Sequence, residues 1–469
     1  MHAVNLLVFF ASLAAFDFFL RELLRYRRET GVVGAPAWVV TTVGYVIFLW
    51  SSLNLIGTAF VAPDFAVATF AYLAAGLVLR CRREPHGLVP WAALGIALGM
   101  GYLAKAPMFP LGLVFLLLAA VPRPRRITLR NLLSRAGLAL AVFLLVASVH
   151  VAGLYATKGR LTLGDSAWLN YLWHVNRVPV LHYQGGRPGI GTPQHPTRVI
   201  YDDPAAYEFA GPVVATYPPW FDPAYWYRGL RPRPDPKGHV ITARWSLRLY
   251  GGERALHHWL PSGVLLLLVA AYLVRRRWWS REALARHAVL WAAGVTALAM
   301  YAVIHLESRY IAPFMTFLWL GVVTGVRLPA GRQVIRGAGI VLVAVLMVHA
   351  ALVLIVTTRG ARAIRRESIA HASSRPVDAH WRVAQALREM DMRPGDRVAV
   401  IGPGIRAYRA RLGRLRIVAE VPAWEEHEFW AADPQTRQAI LDRFAAAGAK
   451  VVVHEISARP EARRITIDP

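Results

Sequence analysis

The chain has 469 residues, with 54 Lys plus Arg against 28 Asp plus Glu and a formal net charge of +26. Apolar residues make up 56% and charged residues only 17%, whereas a disordered chain needs the opposite balance and a soluble enzyme carries about 25% charged residues, so both classes are excluded. The one cysteine, Cys81, excludes a disulfide framework, a multi-cysteine metal site and an iron–sulfur cluster.

The apolar residues bunch into runs of roughly 17 to 22, the length that crosses a hydrocarbon core of about 30 Å. Candidate spans lie near residues 2–20, 38–61, 65–81, 88–104, 107–122, 137–155, 259–275, 287–305, 310–326 and 338–358. Two hydrophilic blocks interrupt or follow them. The expected fold is mainly α: a polytopic membrane helical bundle of about ten spans, an extracytoplasmic aromatic-rich loop domain over 156–258, and a small α/β domain over 359–469. Spans then occupy 1–155 and 259–358, in a multi-pass inner (plasma) membrane protein.

Lys and Arg in short loops bias those loops to the cytoplasm. Arg21, Arg25, Arg27 and Arg28 follow the first span, Arg80, Arg82 and Arg83 the third, and Arg123, Arg125 and Arg126 the fifth. Arg275, Arg276 and Arg277 follow the seventh, and Arg327, Arg332 and Arg336 the ninth. Every odd-numbered span ends in a basic loop, so alternation puts 156–258 outside the cytoplasm. It puts the C-terminal block outside as well, although Arg359, Arg362, Arg365 and Arg366 argue the other way. The basic loops face anionic lipid headgroups at about 1 kcal/mol per residue, so the net charge needs no nucleic-acid partner. The first span would run from outside to inside with only "MH" before it, without the basic start of a signal peptide. At least one further span is expected upstream.

Polar groups at the outer ends of spans are placed to line a site at the membrane surface. Asp64 sits in "VAPDFAVATF", Lys105 in "GYLAKAPMF", and His305, Glu307, Arg309 and Tyr310 in "IHLESRYIAPF". Carboxylates and cations on one membrane face suit a bound metal or an anionic phosphate. Each has a plainer reading: Asp64 as the N-cap of its helix, Lys105 as a snorkelling anchor, Arg309 with Glu307 as a surface pair.

Taken together in this order, "PD" opening a span, a glycine-rich span ending in Lys, and "ESRY..P" at a later outer turn resemble the GT-C superfamily of polyprenyl-phosphate-sugar-dependent glycosyltransferases. The protein O-mannosyltransferase-like group and the lipid A aminoarabinose transferases are similar in pattern. The resemblance covers roughly residues 1–155 and 287–327 and implies inverting transfer of a sugar from a polyprenyl-phosphate donor to a lipid, glycan or protein acceptor. By that resemblance Asp64 organises a divalent metal or the donor phosphate, while Lys105, Arg309 and Tyr310 bind the phosphate beside Glu307 and His305. The family's base lies in the first outer loop, and the first span here aligns with the family's second, so that loop is missing from the match. Asp165, Asp202 and Asp203 are the outer-side substitutes. A protein that binds lipid-linked saccharides without catalysis is the alternative.

Asp17 and His150 read as structural residues of their spans. The loop 156–258 is rich in Trp, Tyr and Pro, suited to interfacial packing or to stacking on sugar rings. Its His174, His182, His195, Asp202 and Asp203 lack the tight spacing of a metal set. In the C-terminal block "WRVAQALREMDM" and "PQTRQAILDRFAAAG" predict helices, and "DRVAVIG", "LRIVAEV" and "AKVVVHE" predict strands. "IGPGIRA" matches a dinucleotide fingerprint in form, with Glu420 as its one ribose-binding candidate, but the helix it should open is brief.

Overall fold

A computed structural model describes residues 2–31, 36–57, 62–121, 127–178, 192–193, 197–213, 227–228, 231–251, 287–325, 376–402, 404, 407–456 and 464–468. The chain divides into two units, Met1–Ala167 with Pro234–Ile355, and Trp168–Arg233 with Val356–Pro469.

The first unit is helical. Helix α1 (His2–Thr30) runs past its apolar stretch into the basic segment, where Asp17 pairs with Arg21 one turn on at 2.8 Å. Helix α2 (Ala37–Trp50) continues as a π-helical turn over Ser51–Ile56, and Tyr45 from it donates to Asp17 Oδ1 at 2.6 Å. Asp17 thus serves helix packing. Helices α3 (Asp64–Arg83), α4 (Leu88–Ala104), α5 (Met108–Ala119) and α6 (Leu129–Lys158) follow. The segments Val4–Thr30, Ala37–Ile56, Asp64–Arg83 and Leu129–Lys158 are long and apolar enough to cross a membrane. Leu88–Ala104, Met108–Ala119 and Ala288–Ala302 are apolar but shorter; at 1.5 Å per residue the last of these rises about 22 Å. The spans expected near 259–275 and 338–358 lie outside the described residues.

Close helix contacts explain two of the glycines. A Cβ on Gly95 would lie 2.4 Å from the Ala139 carbonyl oxygen, and one on Gly99 would lie 2.5 Å from Val146 Cβ. The Gly-xxx-Gly face of α4 therefore lets α6 approach at backbone distance. Phe16, Phe48, Tyr72 and Phe317 form an aromatic core, with Phe16 stacked on Phe48 at 4.8 Å and Tyr72 edge-on to Phe317 at 5.6 Å. Within it the Tyr72 hydroxyl and Ser51 Oγ each lie 3.1 Å from Thr316 Oγ1, so these buried hydroxyls satisfy one another. At the opposite end of α1 and α3, Arg83 bridges Glu22 and Glu29 at 2.6 Å each, and Glu22 is 1% exposed. Arg83 is thus a structural tie between helices, where sequence reading assigned it to lipid headgroups. Helices α8 (Pro236–Gly251), α9 (Ala288–Ala302) and α10 (Ser308–Gly325) complete the unit, α9 and α10 packing on each other and α10 on the π turn.

The second unit begins in α7 (Ser166–His174), which spans the boundary, and is built on a six-stranded sheet. Its strands are β2 (Thr197–Asp202), β3 (Ala205–Val213), β5 (Arg397–Ile401), β6 (Arg416–Val421), β7 (Val451–Ile456) and β8 (Arg464–Asp468), in the order β2-β3-β6-β5-β7-β8. Strands β6, β5 and β7 are parallel, and the flanking pairs are antiparallel. A second, two-stranded ladder pairs β1 (Thr192–Pro193) with β4 (Tyr227–Arg228). Helices α11 (Pro376–Glu389), α12 (Tyr408–Gly413), α13 (Glu426–Ala431) and α14 (Pro434–Ala446) connect the strands. Asp433 caps α14 by accepting from the amides of Gln435 and Thr436, with Pro434 at the first helical position. One face of the sheet buries Val398, Val400, Ile417 and Val453, and the other Ala399, Ile401, Ala419 and Val421.

The sheet draws strands from both hydrophilic blocks. Tyr207↔Glu420 and Glu208↔Ala419 pair β3 with β6, so strands from 156–258 and from the C-terminal block share one sheet. Helix Pro236–Gly251, from the first of these blocks, falls within the first unit.

Candidate functional site

Three distant parts of the first unit meet at one end of its helices. Asp64 is the first residue of α3, following Pro63, and makes no cap hydrogen bond. Its side chain turns instead to Lys105, whose Nζ lies 2.7 Å from Oδ1. Lys105 ends α4 in an extended conformation (φ −162°, ψ 129°), with its amide still donating to the Gly101 carbonyl. That break in the helix swings the lysine across to α3. Arg309, in the first turn of α10, places Nε 3.7 Å from Asp64 Oδ2, an oxygen without a hydrogen bond. Tyr310 lies beneath the lysine, with Nζ 3.5 Å from its ring centroid, a cation–π contact that holds the ammonium from a second side.

Glu307 extends the cluster. It accepts from Arg309 Nε at 2.6 Å and pairs with His305 Nε2 at 3.1 Å. The His305 contact, helped by Arg309 and opposed by burial, lowers its pKa to about 2. Burial lowers the Lys105 pKa below its ordinary value, against the opposing pull of Asp64. Exposure sorts the charges: Asp64 is 2% exposed, Lys105 21% and Arg309 32%. Asp64 is the floor of the site, and its open face carries Lys105, Arg309 and the Glu307 carboxylate, which is 36% exposed.

All six residues singled out at the outer turns, Asp64, Lys105, His305, Glu307, Arg309 and Tyr310, belong to this linked cluster. Asp64 is not the N-cap, which is Pro63, but it lies in the first turn of α3 where the helix dipole favours it, and Lys105 Nζ is held by its side chain. Sequence reading missed Tyr301, a buried residue of α9 whose ring lies 5.4 Å from that of Tyr310. A tyrosine near the outer end of an apolar run reads as an interfacial anchor, so nothing marked it out.

The other aspartates differ. Asp165 is buried in the first unit with its own partners, Lys158, Arg160 at 2.8 Å and Thr162 at 2.9 Å. Burial raises its pKa, but the hydrogen bonds from Lys158 and Thr162 outweigh this and leave it below the ordinary value. Asp202 and Asp203 sit at the exposed turn between β2 and β3 in the second unit. His150 packs edge-on against Tyr102 at 5.6 Å, as a structural histidine would. His182 and His195 lie outside the described residues.

The carboxylates of this cluster are already engaged by cations. Among the described residues no three His, Cys, Asp or Glu side chains gather as a ligand group. A cation approaching Asp64 would have to displace Lys105 from Oδ1 or pass Arg309 at Oδ2. Lys105 and Arg309 are the groups an anion could meet, with the Glu307 carboxylate exposed beside them. In the second unit, Gly404 N donates to Glu420 Oε1 at 3.1 Å, so the chain's own carboxylate takes an amide that a nucleotide phosphate would need, and α12 is only six residues long.

Compared with protein-family models, with curated proteins and with solved structures, the chain matches none.

Proposed function

We propose that the protein is a membrane glycosyltransferase of GT-C type that moves a sugar from a polyprenyl-phosphate carrier to an extracytoplasmic acceptor. The observation that supports this reading is the gathering of two partly exposed cations, Lys105 and Arg309, over the buried Asp64, with the Glu307 carboxylate exposed beside them. A lipid phosphate can reach the two cations without displacing Asp64, the buried carboxylate that orients them. In transfer, the bond from the anomeric carbon to the phosphate oxygen breaks and its electron pair stays on phosphate. Cations already fixed where that charge develops lower the barrier. The acceptor hydroxyl oxygen forms the new bond from the opposite face, and its proton goes to a base.

The base is where a second reading gains support. Asp64, Asp165 and Glu307 are all ion-paired, with Glu307 held at about 2 and Asp165 below its ordinary value. A general base works best with a pKa near the operating pH, which neither Glu307 nor Asp165 has. This favours a protein that binds lipid-linked saccharide and presents it without turning it over.

Binding of polyprenyl phosphate to the full chain in lipid nanodiscs tests what the two readings share. Wild type should bind it well above the neutral polyprenol, and Lys105→Gln should weaken binding about tenfold or more, as loss of a charge-assisted hydrogen bond does. Equal binding of phosphate and alcohol would refute both. Release of free polyprenyl phosphate from a polyprenyl-phosphate sugar, with the sugar recovered on an acceptor, supports the enzyme, whereas binding without transfer supports the second reading.

A further inference from the structure

Helix α8 is turned inside out. Along Pro236–Gly251 the positions that face the protein are Gly238, Thr242 and Ser246, four residues apart, with Thr242 8% and Ser246 2% exposed. The apolar side chains point the other way: Val240 is 50% exposed, Ile241 44%, Trp245 54% and Leu247 68%. A surface helix of a soluble protein has the reverse arrangement. Lys237, Arg244 and Arg248 share the outward face, and the helix contains no carboxylate.

The inward face holds the end of α9. Ser246 Oγ donates to the Ala302 carbonyl at 3.2 Å, and His239 Nδ1 lies 2.8 Å from the Val303 carbonyl, an acceptor, so this nitrogen carries the proton. Carbonyls at the end of a helix have no partner within it, and α8 supplies two. Residues 239 and 246 stand about 10 Å apart along α8. They nevertheless meet neighbouring carbonyls, so α8 crosses the end of α9 rather than running beside it. Trp291, Val295, Ala299 and Val303 are exposed at every fourth residue and form one apolar line that ends where α8 lies. The turn beyond carries His305, Glu307 and Arg309, which puts α8 at the site end of the helices.

We propose that α8 is an interfacial helix that docks on the headgroup layer of an anionic membrane, with its cations on lipid phosphate and its outward apolar side chains at the acyl boundary. The inference rests on the apolar helices of the first unit crossing a membrane, and not on sugar transfer. Two observations select lipid as the occupant. The outward face begins where the apolar line of α9 ends, and its charge is of one sign, complementary to anionic headgroups. Long basic side chains between apolar flanks extend along them and place their charge at the phosphates. Because Ser246 and His239 hold residues 302 and 303, docking of α8 fixes the neighbouring turn with His305, Glu307 and Arg309 at headgroup depth.

The test uses the full chain in nanodiscs of phosphatidylcholine, alone or mixed equally with phosphatidylglycerol. Trp245→Cys and Leu247→Cys each carry a nitroxide. Val149→Cys, at an exposed position of the long apolar helix α6, is the lipid reference, and Gln438→Cys, exposed on α14, the water reference. At both α8 positions collisions with oxygen should exceed those with a nickel chelate, giving a depth between the two references. Accessibility equal to that at residue 438 places α8 in water and overturns the proposal. Protection from both reagents shows protein on this face, a segment of the chain or a second copy, and overturns it too. Arg244→Gln with Arg248→Gln removes two exposed cations without touching the face on α9. In the mixed bilayer, a fluorophore on Leu247→Cys should be quenched more by headgroup-labelled phosphatidylglycerol than by labelled phosphatidylcholine, and the double variant should reduce this preference about fivefold or more. Equal quenching by the two lipids, or a preference that the double variant leaves in place, overturns the anionic partner. None of these outcomes involves Lys105, so the lipid-phosphate reading stands or falls separately.

Discussion

The Asp64–Lys105–Arg309 arrangement predicts strong energetic coupling that can be measured without knowing the substrate. At 2.7 Å, with an effective dielectric constant of about 20, the Asp64–Lys105 pair is worth roughly 6 kcal/mol gross, and Arg309 at 3.7 Å adds roughly 4 kcal/mol. Desolvating a carboxylate that is 2% exposed offsets several kcal/mol of that sum. Removing one partner leaves the other's desolvation uncompensated, so Asp64→Asn and Lys105→Gln should each cost about 3 kcal/mol. The double variant leaves neither stranded and should cost less than the sum, by about 2 kcal/mol. Reversible unfolding of the four proteins in mixed detergent micelles measures the cycle. Additivity to within about 0.5 kcal/mol would refute the buried pair, and a cost below about 1 kcal/mol for Asp64→Asn would return Asp64 to a simple helix-dipole role.

Gly95→Val has no room beside the Ala139 carbonyl, 2.4 Å from the added Cβ, and should separate α4 from α6 at a cost of about 2 kcal/mol or more, read as a fall in thermal midpoint; an unchanged midpoint would refute the close approach. The Glu307 pKa is depressed from 4.5 to about 2, so its ion pairs contribute fully above about 4.5 and are lost as pH falls toward 2. An infrared carboxylic-acid band that is absent from Glu307→Gln should appear in wild type only below about pH 3, and its appearance near pH 4.5 would show the contacts unformed. Cysteines placed at exposed Val199 and Arg416 should react with a membrane-impermeant maleimide from the same side of the membrane, against a background kept low because Cys81 is buried; labelling from opposite sides would refute the shared sheet.

Local patterns were legible because they depend on neighbours in sequence. The apolar run at 88–104 is the observed helix Leu88–Ala104, "DRVAVIG" and "LRIVAEV" contain β5 and β6, and "AKVVVHE" covers all of β7 but its last residue. Asp64, Lys105 and Arg309 were also nameable, since charge at the end of an apolar span is costly and therefore conspicuous. What joins distant segments was not legible. Nothing in "TRVIYD" states that its hairpin partner will hydrogen-bond to "RIVAEV" more than 200 residues later, because strand pairing is set by backbone groups common to every residue. The break at Lys105 is of the same kind. Sequence marks a lysine after a glycine-rich span, but only the extended backbone there carries its ammonium to Asp64 rather than to the interface.

The shared sheet constrains topology in a way that charge counting alone does not. Backbone hydrogen bonds between β3 and β6 cannot form through a bilayer, so residues 197–213 and 397–421 occupy one side. An even number of crossings must then separate residue 213 from residue 397. If α9 and α10 both cross, the apolar segments near 259–275 and 338–358 must both cross or both fail to cross. Arg359, Arg362, Arg365 and Arg366, four basic residues just beyond an apolar segment, would pull that end toward the cytoplasm, against the pairing of a whole sheet. Charge bias shifts an insertion equilibrium by about 1 kcal/mol per residue, whereas leaving the β3 and β6 edges unpaired forfeits a ladder and the packing of Phe209 and Ala206 on either face of the sheet.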